Sequence, residues 1–183
     1  MRASLFVARH APIDLEVGTC AGQLDVPSTR DPFEIADALL STWTGGADVR
    51  SLWSSSLRRC SEVASVLAAR WGVPHRIDSR LLEISYGRWE SRRWEEIERV
   101  DGDALHAWMT NWERQAPPGG ESAAMVEARV RAWWQSLRID EDEVLIAHAG
   151  VIRALHVISA GCSWDDAMQI SVPHAAWTRI AKR

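Results

Sequence analysis

Lysine is almost missing from this chain. Lys182 is the only one in 183 residues, so 21 − 1 = 20 of the basic residues are arginines. There is no basic block, and the formal net charge is −4. A dedicated nucleic-acid binder is thereby disfavoured, because such proteins gain affinity by neutralising phosphates with clustered cations. Cysteine is also scarce: Cys20, Cys60 and Cys162 are odd in number and far apart. They form neither a disulfide framework nor a CxxC metal knuckle, and reduced thiols in the cytoplasm are the simplest reading. No apolar run approaches the roughly 18 residues a membrane span needs. The opening MRASLFVARHAP has a short apolar run and no small-residue cleavage site, unlike a signal peptide. Repeats, low-complexity stretches and linkers are missing too. Phenylalanine and tyrosine number only 2 and 1, yet tryptophan reaches 11.

What remains is a chain of ordinary globular make-up, 46% hydrophobic and 25% charged. Its length suits one compact domain, residues 1–183, burying about two-thirds of its unfolded surface. Arginine grips phosphate or carboxylate as a fork, and tryptophan offers flat apolar faces. The pairing hints at an anion site with aromatic walls.

Short apolar runs with abrupt polar stops predict buried strands at 3–9, 49–54 and 143–147, with a shorter one at 75–78, and the tail, 169–181, reads as a last strand. Helices are predicted between them. One starts at Asp31-Pro32 and stops at Gly45-Gly46; a second follows Ser54-Ser55-Ser56 and ends at Gly72. A third is capped by Ser122 and runs to about Leu137; a fourth reads AGVIRALHVISAG. Strands alternating with helices give an α/β fold, a three-layer αβα domain with a mostly parallel sheet. Residues 88–117, charged and rich in tryptophan, read as a helical insert over one sheet edge, closed by Pro117-Pro118-Gly119-Gly120. Trp133 and Trp134 are neighbours on one helix and are not expected to face the core together.

Two histidines share one context. His10 ends the strand LFVAR and His148 ends the strand VLIA. Ligands of open α/β sheets bind beyond the carboxyl ends of strands. Arg9 adjoins His10, and Ser55, Arg58 and Arg59 open a helix, whose free N–H groups suit an anion. Together they define a site for a phosphoryl group. A zinc site would need a third ligand at metal spacing, a serine nucleophile the G-x-S-x-G turn, and a Cys20 nucleophile a nearby helix start. The sequence has none of these.

The ordered set ARHAPID (8–14), SSSLRRCSEVA (54–64), LLEISYGRWE (81–90), PPGGES (117–122) and IAHAGVIRAL (146–155) resembles the histidine phosphatase superfamily, in its branch of cofactor-dependent phosphoglycerate mutases and related phosphatases. The resemblance spans roughly residues 3–180. It implies a phosphoglycerate mutase-like fold and a phosphomonoesterase that needs no metal and no cofactor. His10 would be the nucleophile, Arg9 and Arg59 the phosphate clamp, His148 a second histidine donating to the same phosphate, and Glu83 the proton donor to the leaving oxygen. Ser55 would cap its helix and touch phosphate. The chemistry is consistent: phosphoryl transfer needs positioning and charge stabilisation, a nucleophilic imidazole must be neutral with its other nitrogen held by a carbonyl, and a carboxyl group beside a dianion can supply the leaving group's proton. Small phosphorylated substrates and a monomer or homodimer are implied as well.

Two departures stand out. The family's RHG is RHA here and its HGG is HAG, with Ala11 and Ala149 in glycine places. If those backbones need positive φ, the pocket is strained, and a non-catalytic phosphate-binding relative becomes an alternative. Residues 18–27, GTCAGQLDVP, further resemble the α-ribazole phosphatase group, which removes the 5′-phosphate of α-ribazole phosphate in cobalamin synthesis. Gln23 of this stretch, with Trp108 and Trp112 of the insert, is expected at the substrate mouth, where an aromatic base would stack. A phosphatase for another small phosphomonoester is the alternative. Mutases usually carry a longer insert, and phosphohistidine-protein phosphatases lack this one. Arg153 is read as a helix tether, Glu121 as a residue orienting the pocket, and His174 as the best outsider among the remaining histidines.

Overall fold

A computed structural model gives the structure of the chain and describes residues 4–46, 49–137 and 141–181. Ala3, placed in the first predicted strand, and Lys182 lie outside these residues. The strands are β1 (Ser4–Arg9), β2 (Val49–Ser54), β3 (His75–Ile77), β4 (Asp142–Ala147) and β5 (Trp177–Ala181). The α-helices are α1 (Pro32–Ser41), α2 (Arg58–Trp71), α3 (Trp94–Thr110), α4 (Ala123–Ser136), α5 (Ala149–Ala160) and α6 (Trp164–Gln169). The sheet order is β3-β2-β4-β1-β5, parallel except for β5, which runs antiparallel to β1.

Alternation along β1 explains the three layers. Leu5 and Val7 point to one face, where Val126, Val130 and Trp133 of α4 and Val151 and Leu155 of α5 cover them. Phe6 and Ala8 point to the other, against Ile35 and Leu39 of α1 and Val63 and Leu67 of α2. A period of two on the strands thus meets a period of 3.6 on the helices, and both sheet faces are dry. Trp133 and Trp134 are both buried, contrary to expectation. The helix α4 is covered over a wide arc, by α5 and by the turn at Ser79–Leu81 as well as by the sheet, so two directions about 100° apart both find apolar neighbours.

The predicted last strand is shorter than the run that suggested it. Ser163 and Asp166 form a reciprocal cap that starts α6, and only Trp177–Ala181 pairs with β1. The insert contains a 3₁₀ turn at Gly87–Trp89 and then α3, with Asp101 out of helical geometry at φ −120° and ψ 28°. It does not lie along a sheet edge. It packs on the loop after β1, through the backbone bonds Cys20 N–H to Arg92 O and Trp94 N–H to Gly18 O (both 2.9 Å) and a small core of Cys20, Trp89 and Ile97. Gly87 is needed at this junction: its φ is +56°, and a Cβ there would sit 2.4 Å from the Pro118 carbonyl oxygen. The G-x-W-E and PPGG motifs therefore meet backbone to backbone. Among the described residues no helix is long and apolar enough to cross a membrane.

Candidate active site

The register of β1 on β4 decides the site. Arg9 pairs with Ala147, so the next residues, His10 and His148, emerge side by side, and the His10 N–H bonds the Ala147 carbonyl at 2.9 Å. The two imidazole centroids are 5.3 Å apart. His10 Nδ1 lies 2.6 Å from the Ala11 carbonyl oxygen, which can only accept, so Nδ1 carries the proton. The other nitrogen, Nε2, holds a free lone pair and has no protein partner among the described residues. Burial is the main cause that pushes this imidazole down to about 3; the positive charges of Arg59 and Arg9 add to it, and the Ala11 bond opposes it. His10 is therefore neutral across the physiological range, as a nucleophile must be.

Arg9, His10, Arg59, Glu83, Tyr86, Trp94 and His174 line a cavity of about 340 Å³ at the strand ends. Arg59 is 2% exposed. Its Nη1 donates to Leu24 O at 2.6 Å, its Nη2 to Gly22 O at 2.7 Å and its Nε to His148 Nδ1 at 3.3 Å. A guanidinium has five N–H groups, so two remain for the cavity. Arg9 donates Nη1 to Val172 O at 3.0 Å and leaves a buried Nε without a partner. Two cationic forks with spare donors beside one neutral imidazole suit a phosphoryl group.

His148 stands behind the cavity rather than in its wall. It is fully buried, and burial followed by the charge of Arg59 holds it well below the ordinary histidine range. With Nδ1 accepting from Arg59, its Nε2 is the protonated nitrogen and meets Ser55 Oγ at 2.8 Å. Ser55 accordingly does neither job assigned to it. It does not cap α2, whose first N–H goes instead to the Asp25 carboxylate (Arg58 N to Oδ1, 2.7 Å), and it does not line the cavity. Asp25 closes the helix start that seemed available to an anion. Arg58 points outward to Glu62 at 2.7 Å.

Glu83 reaches the cavity from the turn after β3. Its Oε1 accepts the N–H groups of Ile84 at 3.0 Å and Gly150 at 3.2 Å, the latter in the first turn of α5. Its backbone is held by Arg129, which donates to the carbonyls of Arg80, Leu82 and Glu83 and pairs with Glu121 at 2.8 Å. Gln23 also donates to the Glu83 carbonyl at 2.8 Å. It therefore positions Glu83 and lines neither cavity, a correction to its placement at the substrate mouth. Glu121 orients this segment as read from PPGGES. Arg129 had no sequence signal, because three of its partners are main-chain carbonyls and the fourth, Glu121, lies eight residues away before the helix begins.

The glycine substitutions cause no strain. Among the described residues only Ser91 and Ala175 combine a side chain with positive φ, so Ala11 and Ala149 are both at ease. The retained Gly150 is the critical one. A Cβ there would lie 2.4 Å from Glu83 Oε1. Gly150→Ala should still fold, since the flexible carboxylate end can move and alanine favours a helix. It should lower kcat by between about tenfold and a hundredfold by shifting the carboxylate. Steady-state rates beside a thermal melt check this; a wild-type kcat would contradict it.

A second, largely apolar cavity of about 390 Å³ adjoins the first and shares Glu83, Ile84 and Tyr86 with it. Trp108, Trp112, Trp164, Met109 and Met168 wall it. Trp108 and Trp112 were expected here; Trp164 was not. Trp108 stacks on Trp94 with centroids 6.2 Å apart, and Trp112 meets Trp164 edge-on at 5.8 Å. Two donors in this lining, Arg153 Nε and Trp108 Nε1, are buried with no hydrogen-bond partner. Arg153 is thus no salt-bridge tether among the described residues. No group of three or more His, Cys, Asp or Glu among the described residues is arranged to hold a metal ion.

This strand-end histidine pair, on a phosphoglycerate mutase-like sheet, defines a histidine phosphatase. Residues 5–182 match the histidine phosphatase superfamily (branch 1), and the chain belongs to that family. It is a phosphatase acting on phosphomonoesters. The chain is similar to the glucosyl-3-phosphoglycerate phosphatase of Mycobacterium tuberculosis, 32% identical over 201 residues that cover 98% of this chain and 81% of the relative. It is also similar to the adenosylcobalamin/α-ribazole phosphatase of Salmonella typhimurium, 26% identical over 82% of this chain and 76% of the relative. The crystal structure of the α-ribazole phosphatase from Shigella flexneri superposes with a TM-score of 0.82 over 97% of this chain and 90% of that one, at 22% identity, and speaks to the fold.

Proposed function

We propose that the chain hydrolyses α-ribazole 5′-phosphate through a phosphohistidine on His10 Nε2, without a metal and in the cytoplasm. Arg9 and Arg59 hold the nonbridging oxygens. His10 Nε2 attacks phosphorus and the P–O bond to the ribose breaks. Glu83 delivers a proton to the leaving oxygen. Water then attacks the phosphohistidine, gives its proton to Glu83, and phosphate leaves. His148 shares this work by fixing Arg59 and buttressing His10 from behind.

The observation that carries the substrate assignment is the aromatic cavity sharing Glu83, Ile84 and Tyr86 with the phosphoryl pocket. A leaving group bound there must cross Glu83, the proton donor. Its flat walls suit dimethylbenzimidazole, and the unpartnered Arg153 and Trp108 donors suit the base's free ring nitrogen and the ribose hydroxyls. A second reading, a carboxylate-bearing sugar phosphate, is favoured by Arg153 and by the likeness to the glucosyl-3-phosphoglycerate phosphatase.

A substrate comparison decides between them. We expect kcat/KM for α-ribazole 5′-phosphate to exceed that for glucosyl-3-phosphoglycerate and for phosphoserine by about tenfold or more. Trp112→Ala should raise KM for α-ribazole 5′-phosphate about tenfold and leave p-nitrophenyl phosphate hydrolysis nearly unchanged. Faster turnover of glucosyl-3-phosphoglycerate would overturn the assignment.

A further inference from the structure

The loop between α6 and β5 carries a third imidazole into the phosphoryl pocket. His174 sits 5.3 Å from the His10 ring, centroid to centroid, the same spacing as His148. Unlike His148, it lines the cavity. Its Nδ1 lies 2.6 Å from the His10 carbonyl oxygen. That oxygen can only accept, so Nδ1 carries the proton, and in the neutral ring Nε2 holds a lone pair. Nε2 has no protein partner among the described residues.

The backbone is built to hold it there. His174 bridges to Arg9, and the next residue, Ala175, donates its N–H to Arg9 O at 2.9 Å. Ala175 achieves this at φ +49°, in the left-handed region that a side chain resists. Such strain persists where the surrounding structure insists on it, and it concentrates at functional sites.

We propose that His174 is a phosphoryl-binding residue and that one proton, taken from solvent when a phosphate dianion binds, lies between Nε2 and a nonbridging oxygen. A lone pair and a dianion repel; a shared proton turns the contact into a charge-assisted hydrogen bond. The other charged or titratable groups around His174 are Arg9 and His10 at the end of β1, Arg59 on α2, and Glu83, Tyr86 and Cys20 on the cavity wall. Burial favours the neutral ring at rest, the bond to the His10 carbonyl opposes it and the charge of Arg9 adds to burial, so the proton arrives with the ligand. The inference rests on the pocket being a phosphoryl site but not on the identity of the substrate.

The test uses inorganic phosphate as a competitive inhibitor of p-nitrophenyl phosphate hydrolysis, from about pH 6 to about pH 8, spanning the second phosphate ionisation. His174→Asn keeps a donor where Nδ1 was and removes Nε2. His174→Gln places an amide where Nε2 was. Wild-type inhibition should weaken by about tenfold per pH unit on the alkaline side, the signature of one linked proton. His174→Asn should bind phosphate about tenfold more weakly at the acid end and lose that slope, with an unchanged melting temperature. His174→Gln should regain affinity without regaining the slope. Wild-type constants and slope in His174→Asn would overturn the proposal, and so would weaker binding with the wild-type slope. Failure of phosphate to compete with the wild-type enzyme would remove the phosphoryl-site reading itself.

Discussion

His10→Ala should lower kcat for p-nitrophenyl phosphate by a factor on the order of 10⁴ with EDTA present, and leave a folded protein. The ring combines a fixed tautomer with a free lone pair, through Nδ1 on Ala11 O, and stands at the end of β1 beside Arg9. Arg9 and Arg59 stabilise charge but carry no lone pair to attack phosphorus. His148 is no substitute, because both of its nitrogens face protein groups. The fold should survive, since the His10 side chain bonds only its neighbour's carbonyl and the sheet register depends on backbone groups. The pH profile carries a related signature. With the imidazole held to about 3, the nucleophile is not lost to protonation as the pH falls through the usual histidine range near 6.5. Equal rates in wild type and His10→Ala would end the enzymatic assignment to this site.

The second large effect is expected at Glu83. Glu83→Gln should cost between about 10² and 10⁴ in kcat for substrates with an alkoxide leaving group. For p-nitrophenyl phosphate the loss in kcat/KM, which covers the steps up to departure of the leaving group, should be much smaller, because nitrophenolate departs without a proton. Glutamine keeps the size of the side chain and an oxygen for the Gly150 N–H, so the helix contact survives while the transferable proton does not. Comparing the two substrate types in one variant separates proton donation from positioning. A uniform loss would mean that Glu83 only organises the pocket.

The parts of the site that could be read in advance are those placed by local chain geometry. A strand that ends in Arg9-His10, another that ends in His148, and the start of α2 at Arg58 are each set by a few consecutive residues. In a parallel sheet such ends share one edge, and the adjacency of β1 and β4 brings the two histidines together. The misread residues are those whose partners arrive from elsewhere. Ser55 looked like a helix cap, but Asp25 from the first loop took the helix N–H. Gln23 sits in a recognisable stretch, yet its amide turns to the Glu83 carbonyl. Arg129 is one arginine among 20, and nothing in its neighbours announces that it grips three carbonyls. The tryptophan surplus resolved only in three dimensions, into core packing for Trp133 and Trp134 and cavity walls for Trp108, Trp112 and Trp164. Composition counts aromatic rings but carries no information about which of them face a space.

The central claim, a phosphoryl group carried on His10, is tested most directly by rapid acid-free quenching of the enzyme during turnover, followed by intact-mass and peptide analysis. One added phosphoryl group is expected on the peptide holding His10, labile in acid and stable in base, and none in His10→Ala. A phosphoryl group on another residue, or full activity with no phosphoenzyme at any quench time, would contradict it.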